Sequence, residues 1–347
     1  MCTKIKAWSS KNLYFAGRLT LVQSVLMTIQ TYWAQIMILP KSIFKSVNSI
    51  CRCFLWKGVA DSSSPGKVAW KQLCRPKNEG GLGLVNLKLW NLAAMGKHVW
   101  MIATQKDNIW VRWILSVYIK GEQWWDYSPK NTDSWYWRSI CYVRDLMKAH
   151  LSEAQLCSIQ KYSIKKAYGK LILPAAAKVY WASVVWCRLG QAKHRFITWL
   201  AVLERLNTKD RLRQFGLSMD DLCLLCGATT ENHNHMFFGC HFSYQCWSNI
   251  ASFLHISLTN CSLPQLIRWI HMRNISKFRK GVYYTFVWCT VYHIWKERNN
   301  SLWNNQISCI DKVCSMIKSR ACNRLHSVLP KVLSTKDSSW FCTLAEG

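Results

Sequence analysis

The chain has 347 residues, half of them hydrophobic, which is enough for two or three ordinary domains and argues against wholesale disorder. Lysine and arginine number 46 against 17 acidic residues, a formal net charge of +29. That excess repels itself in a compact state and points to a polyanionic partner, nucleic acid ahead of an anionic membrane surface.

The first 60 residues read as helices. Between Gly17 and Pro40, Leu19, Val22, Leu26, Ile29, Trp33 and Ile36 recur with a helical period, and Pro40 ends the run. A second stripe, Ile43, Val47, Ile50 and Phe54, keeps Lys41, Lys45 and Arg52 off its apolar face. Gly58 and the tract Asp61-Ser62-Ser63-Ser64-Pro65-Gly66 predict a loop, Glu79 to Leu84 a glycine-rich turn, and Leu87 to Thr104 another helix. Residues 121 to 160 are less regular. They crowd Trp124, Trp125, Tyr127, Trp135, Tyr136 and Trp137 together, with a turn expected at Asn131-Thr132-Asp133 and a soft domain boundary near 126–134.

Tyr162 to Tyr168 suggests a short strand running into a helix. Phe196, Leu200, Leu203 and Leu206 form a further helical stripe. From Trp247 to about residue 330 the pattern is mostly helical, and the last 15 residues are expected to fray. Gly281 to Trp295 is strongly apolar but about five residues too short for a membrane span, and it contains His293, so a buried helix or strand is expected. The 21 tryptophans are expected mostly as core fillers.

Seventeen cysteines are many, and the number is odd. No apolar stretch of a secretory signal follows Met1, so a reducing, intracellular setting is expected, nucleus or cytoplasm, with no secretion. Scattered residues such as Cys51, Cys53, Cys187 and Cys289 then read as small buried hydrophobes. One cluster has ligand spacing: Cys223, Cys226, His235 and Cys240, in C-x2-C-x8-H-x4-C order. Three thiolates and an imidazole are the donor set that Zn²⁺ prefers in closed tetrahedral sites, which fold the chain and leave no position for substrate. Gly227 relieves the turn after the first pair. His233 and His241 stand as alternative fourth ligands. Phe237 and Phe238, between the ligands, would pack as an apolar plug or stack on a base, packing being favoured.

Just upstream lies the densest basic group: Arg188, Lys193, Arg195, Arg205, Lys209, Arg211 and Arg213, diluted by Glu204 and Asp210. Such residues suit phosphate contacts; the plainer reading is a solvated face. Trp199 and Phe215 are possible stacking platforms but read better as core. Catalytic patterns fail. Asp220-Asp221 has neither a preceding apolar strand nor a third acidic partner, and reads as a turn or cap and not as a two-metal site. No phosphate loop, nucleophile elbow or dinucleotide fingerprint is present, and nothing indicates a small-molecule substrate.

The stretch from Cys223 to Cys240 with its HMFFGC ending, followed by Trp247, resembles the zinc-binding module near the C-terminus of plant LINE-type (non-LTR) retrotransposon reverse transcriptases. KNLYFAGRLTLVQSVLMTIQTYWAQIMILP, FLWKG and VAWKQLCRPKNEGGLGL resemble the region after the polymerase palm in those proteins. YSIKKAY and FITWLAVLERLNTKDRL resemble the lead-in to their zinc module. The resemblance runs from about residue 6 to 300. It implies Zn²⁺ ligation by Cys223, Cys226, His235 and Cys240, and a thumb-type segment over 6–57 lying against template and primer. It also implies that the palm with its catalytic Asp-Asp motif precedes residue 1, with the endonuclease earlier still, and that a ribonuclease H domain has no room after the module.

The expected molecule is therefore mainly α: a thumb-like helical segment (1–60), a helical connector (61–130), a zinc-binding domain (131–250, knuckle 223–240) and a helical C-terminal tail (251–347). The expected function is zinc-dependent binding of RNA or DNA without catalysis. Its rivals are an active RNA-directed DNA polymerase, and a domesticated or decayed interaction module.

Overall fold

A computed structural model of the chain describes residues 1–8, 13–61, 66–172, 178–217 and 220–346, with side chains through Leu344. Ser62 to Pro65 of the expected loop lie outside these residues. Regular structure among the described residues is helical, as expected, apart from a single antiparallel bridge between Leu222 and Thr230. The chain divides into two compact units. The first is Met1–Leu13, Gly17–Pro76 and Gly81–Ala177; the second is Tyr14–Ala16, Lys77–Gly80 and Lys178–Gly347.

The first unit holds α1 (Cys2–Ala7), most of α2 (Phe15–Leu21), α3 (Thr31–Ala34), α4 (Lys41–Lys57), α5 (Trp70–Leu73), α6 (Leu87–Ala103), α7 (Ile109–Ile114), α8 (Trp135–Lys148), α9 (Glu153–Cys157) and α10 (Ile164–Leu171). Helix α6 is central, packed on α3, α7, α8, α9 and α10. Asn86 starts it by accepting the Leu89 amide at 3.3 Å, the N-cap role of a short polar side chain. The aromatic-rich stretch closes on Trp137, which is 1% exposed and lies against Tyr118, Trp124 and Tyr127 at 4.7, 5.4 and 5.7 Å. Trp137 Nε1 donates to Tyr127 Oη, and Tyr127 Oη donates to Asp133 in the expected 131–133 turn.

Two expectations fail in this unit. The stripe from Gly17 to Pro40 is not one helix: α2 passes into a wider π-type turn at Val22–Leu26, then irregular turns, then α3. Leu19, Val22 and Leu26 are buried, but Ile29 and Trp33 are exposed. The cause is local competition for backbone carbonyls. Thr28 Oγ1 donates to Ser24 O and Val25 O, Thr31 Oγ1 to Thr28 O, and Asn91 Nδ2 on α6 to Ala34 O and Met37 O. Nor is there a strand at Tyr162–Tyr168. Ser163 caps α10 instead, accepting the Lys166 amide, while Tyr162 Oη donates to Ala93 O.

The second unit contains α11 (Tyr180–Val185), α12 (Ala192–Val202), α13 (Lys209–Gln214), α14 (His241–Phe253), α15 (Leu263–Met272), α16 (Lys277–Asn304), α17 (Ile310–Ser327) and α18 (Thr335–Glu346). Helix α16 is the hub, packed on α11, α12, α14, α15 and α17. Its Gly281–Trp295 stretch is a buried helix, as expected, with Val282, Phe286, Val287, Trp288 and Val291 all fully covered. Gly281 lets the Leu189 side chain pack close to the helix: a Cβ there would sit 2.6 Å from Leu189 Cδ1, which would have to move aside. No helix among the described residues is long and apolar enough to cross a membrane.

The fraying expected for the last 15 residues is also wrong. Of these, Thr335–Glu346 form α18, whose Asp337 accepts from Arg279 Nε at 2.8 Å and from Ser276 Oγ at 3.0 Å. Phe341 is buried against Phe278 and His326. Polar composition hid a helix that one ion pair and one aromatic side chain anchor. Across the chain, Trp33, Trp113, Trp135 and Trp303 are exposed and the other tryptophans at least partly buried. Cys51, Cys53 and Cys289 are buried as expected, whereas Cys187 is only partly so.

Candidate metal centre

The donor-bearing loop begins at the Leu222–Thr230 bridge, where the Cys223 amide donates to Thr229 O at 2.7 Å. Gly227 N returns to Cys223 O at 2.7 Å, and Gly227 sits at φ +67°, a left-handed turn that costs glycine little. This turn brings Cys223 and Cys226 to one side. Asn232 opens the next segment, accepting the His235 amide at 2.8 Å. Phe238 at φ +78° then breaks the helical turn and swings Cys240 back toward the first pair. Cys240 begins α14, with Tyr244 N donating to its carbonyl.

The result is a compact set: one donor atom each from Cys223, Cys226, His235 and Cys240, all within 4.8 Å of one another. Cys223 Sγ and Cys240 Sγ are 3.9 Å apart, and Cys226 Sγ and His235 Nε2 are 3.4 Å apart. A tetrahedral zinc ion with Zn–S of about 2.3 Å and Zn–N of about 2.0–2.1 Å spaces its donors about 3.8 Å sulfur to sulfur and about 3.5 Å sulfur to nitrogen. The residues fit the ion. The Cys223 thiol and the amides of Phe242 and Ser243 hold Cys240 below the ordinary thiol value, and the same contact pushes Cys223 up. Phe237 and Phe238 are buried, Phe238 against Trp247 at 5.4 Å, so both serve as the apolar plug.

The two alternative histidines lie outside the set. His233 is buried, its Nε2 accepts the Leu206 amide at 3.2 Å, and burial pushes its pKa down to about 4, so it stays neutral. His241 is exposed on α14 beside Gln245.

Two neighbours escaped the sequence reading. Thr229 Oγ1 lies 3.1 Å from His235 Nδ1 and 3.2 Å from Nε2, where it can orient the ring. Glu231 is fully buried, and its Oε1 accepts from Arg298 Nε and Nη2 on α16 at 2.9 and 2.7 Å and from the Lys209 amide at 2.9 Å. Its Oε2 accepts from Leu224 N between the first two cysteines, at 3.3 Å. A lone acid between the clustered donors of a strongly basic chain was the available signal, but its partner stands 67 residues away.

The seven basic residues fall into different settings. Arg188, Arg205 and Arg213 are exposed. Lys209, Arg211 and Arg213 share α13, and Arg211 Nη1 donates to Glu204 O. Lys193 lies over the rings of Tyr14 and Tyr292 at 5.3 and 5.1 Å. Arg195 is half-buried, donating to Trp186 O and Cys187 O, and burial lowers its pKa. Asp220 and Asp221 pair with Lys209 and Arg213, each at 2.5 Å, and Asp220 Oδ1 accepts the Leu222 amide, which bears out the turn reading. Trp199 is core, as expected, with Nε1 donating to Gly80 O. Phe215 is not; it is exposed, with the Arg211 guanidinium 5.9 Å from its ring.

Residues 162–247 match a family model described as zinc-binding in reverse transcriptase, a span that includes all four donors. Over 150 residues, 42% of this chain, the sequence is 34% identical to the Arabidopsis thaliana protein named "Putative ribonuclease H protein At1g65750". Over 126 residues, 36% of this chain, it is 29% identical to "Uncharacterized mitochondrial protein AtMg00310" of the same plant. The matched stretches cover 24% of the first relative and 82% of the second, so the chain spans about a quarter of the larger protein.

Proposed function

We propose that the chain is a zinc-dependent RNA- or DNA-binding protein derived from a LINE-type (non-LTR) retrotransposon reverse transcriptase, with Cys223, Cys226, His235 and Cys240 holding one structural Zn²⁺. The observation that carries the reading is the pair of donor distances, 3.9 and 3.4 Å, inside the stretch that matches a reverse-transcriptase zinc-binding family. The ion would tie the Cys223–Cys226 turn to the His235–Cys240 segment that leads into α14. Four protein donors leave no position for water or substrate, so its role is structural.

Net charge supports the partner. The exposed Arg188 and Arg205 suit phosphate contact, and Lys193, Arg195, Lys209, Arg211 and Arg213 complete the proposed basic group around internal contacts of their own. Binding is proposed without polymerisation, since the adjacent acids Asp220 and Asp221 are held in ion pairs. A thiolate-rich site suits a reducing, intracellular compartment. The division into a thumb-like segment (1–60), connector (61–130), zinc-binding domain (131–250) and tail (251–347) is proposed with it. Zinc analysis of protein purified without chelator tests the centre, with one ion per chain expected; none would overturn it. Primer extension on the same sample is expected to show no incorporation, and activity there would restore the polymerase reading.

A further inference from the structure

Away from the knuckle, three more nitrogen and sulfur donors converge in the core of the second unit. His194 lies on α12; Cys289 and His293 lie on α16, which packs against α12. Four residues apart on one helix, Cys289 and His293 project from the same face one turn apart. One donor atom from each of the three residues lies within 4.8 Å of the others. All three are buried: His194 is 2%, Cys289 0% and His293 5% exposed.

Two ring nitrogens of this group have no hydrogen-bond partner among the described residues. His194 Nε2 and His293 Nδ1 are buried and unsatisfied. Each such atom costs about 1–3 kcal/mol, so two of them in one three-residue group call for a ligand that satisfies both. Cys289 Sγ points to Ile317 O at 3.6 Å, a weak contact that a stronger bond would replace.

We propose that His194, Cys289 and His293 form a second, buried metal site that takes a soft monovalent ion, Cu(I). The thiolate favours soft ions and the imidazoles accept copper as well as zinc, and among the described residues no fourth Cys, His, Asp or Glu joins the group, which suits three-coordinate Cu(I) better than tetrahedral zinc. Charge points the same way. The cations Lys193, Lys296 and Arg320 surround the group. One thiolate with one monovalent ion is neutral among them, whereas a divalent ion would add net positive charge to a buried, already positive setting. Loading exchanges the thiol proton of Cys289 for the ion: an S–H bond breaks, an S–Cu bond forms, the proton leaves to solvent, and no electron moves. A cavity of about 210 Å³ is lined by Tyr14, Lys193, Tyr292 and Lys296, and the Tyr292 ring, 4.5 Å from that of His194, connects its wall to the group.

The test is an anaerobic titration of the zinc-loaded full chain with Cu(I) against a chromophoric Cu(I) chelator, with zinc measured in the same samples. One Cu(I) per chain at unchanged zinc is expected. Cys289→Ala and His293→Gln should each abolish that equivalent and leave zinc and helical circular dichroism intact. Where either variant fails to fold, copper-edge X-ray absorption on the unmodified chain decides, two nitrogens and one sulfur being the expected shell. No bound copper, copper that displaces zinc with a sulfur-dominated shell, or undiminished binding by both variants would overturn the proposal. The first result would leave a bridging water as the partner of the two nitrogens.

Discussion

Glu231 and Arg298 form an ion pair with neither side chain more than 2% exposed, two guanidinium nitrogens converging on one carboxylate oxygen. The other carboxylate oxygen takes the Leu224 amide in the loop that carries the first two cysteines, so the pair fastens that loop to α16. Removing one member leaves a buried, uncompensated charge, which costs about 3–5 kcal/mol. Arg298→Ala and Glu231→Ala should each lower stability by that amount in urea unfolding. Both should also lose zinc to a chelator faster than the unmodified chain. A cost below about 1 kcal/mol would mean water solvates the survivor.

Ligand identity is open to substitution. Cys226→Ser and His235→Asn should each bring zinc from one per chain to a substoichiometric amount, while His241→Asn leaves it unchanged, because His241 is exposed and outside the donor set. If Cys226→Ser folds normally and nucleic-acid binding is untouched, the metal does not serve as the scaffold.

Salt dependence tests the partner. Six phosphate contacts give a slope of log K on log salt of about −5 on duplex DNA, or about −4 on a single strand. Arg205→Ala should make the duplex slope shallower by about 0.9 without loss of stability, since the side chain is exposed. Arg195→Ala should act mainly on stability, its guanidinium being engaged with Trp186 O and Cys187 O. A slope near zero in a zinc-loaded chain would favour the interaction-module reading.

The C-terminal helix provides a stability test far from the metal. Phe341→Ala should destabilise the second unit by about 3 kcal/mol, within the range for deleting a buried phenyl ring. Asp337→Ala should cost about 1–3 kcal/mol by leaving Arg279 and Ser276 without their acceptor. Hydrogen exchange that finds residues 335–344 unprotected would contradict both.

Much of this protein was legible in its residue order. The helical class follows from a 3.6-residue apolar period, a local property that survives any tertiary arrangement. The donor cluster follows from C-x2-C-x8-H-x4-C, since donors close in sequence are brought together by short loops whatever else the chain does. The burial of Gly281 to Trp295 followed from length and hydropathy, and Asp220-Asp221 read as a turn because it lacks a strand and a third acid.

Periodicity says which face is apolar and not what will cover it. Ile29 and Trp33 continue a perfect stripe yet face solvent, because threonine hydroxyls and Asn91 take the carbonyls that a continuous helix needs. The tail looked too polar to order until Asp337 met Arg279. The choice of His235 over His233 turned on Leu206, whose amide claims the His233 nitrogen. Glu231 finds Arg298 across 67 residues, and His194 comes from a different helix to meet Cys289 and His293. Spacing and period thus determined the helices and the four-donor knuckle, whereas the polar contacts that bind the knuckle to α16 and assemble the second cluster were decided by packing alone. Such contacts depend on distance through space, which sequence separation does not encode.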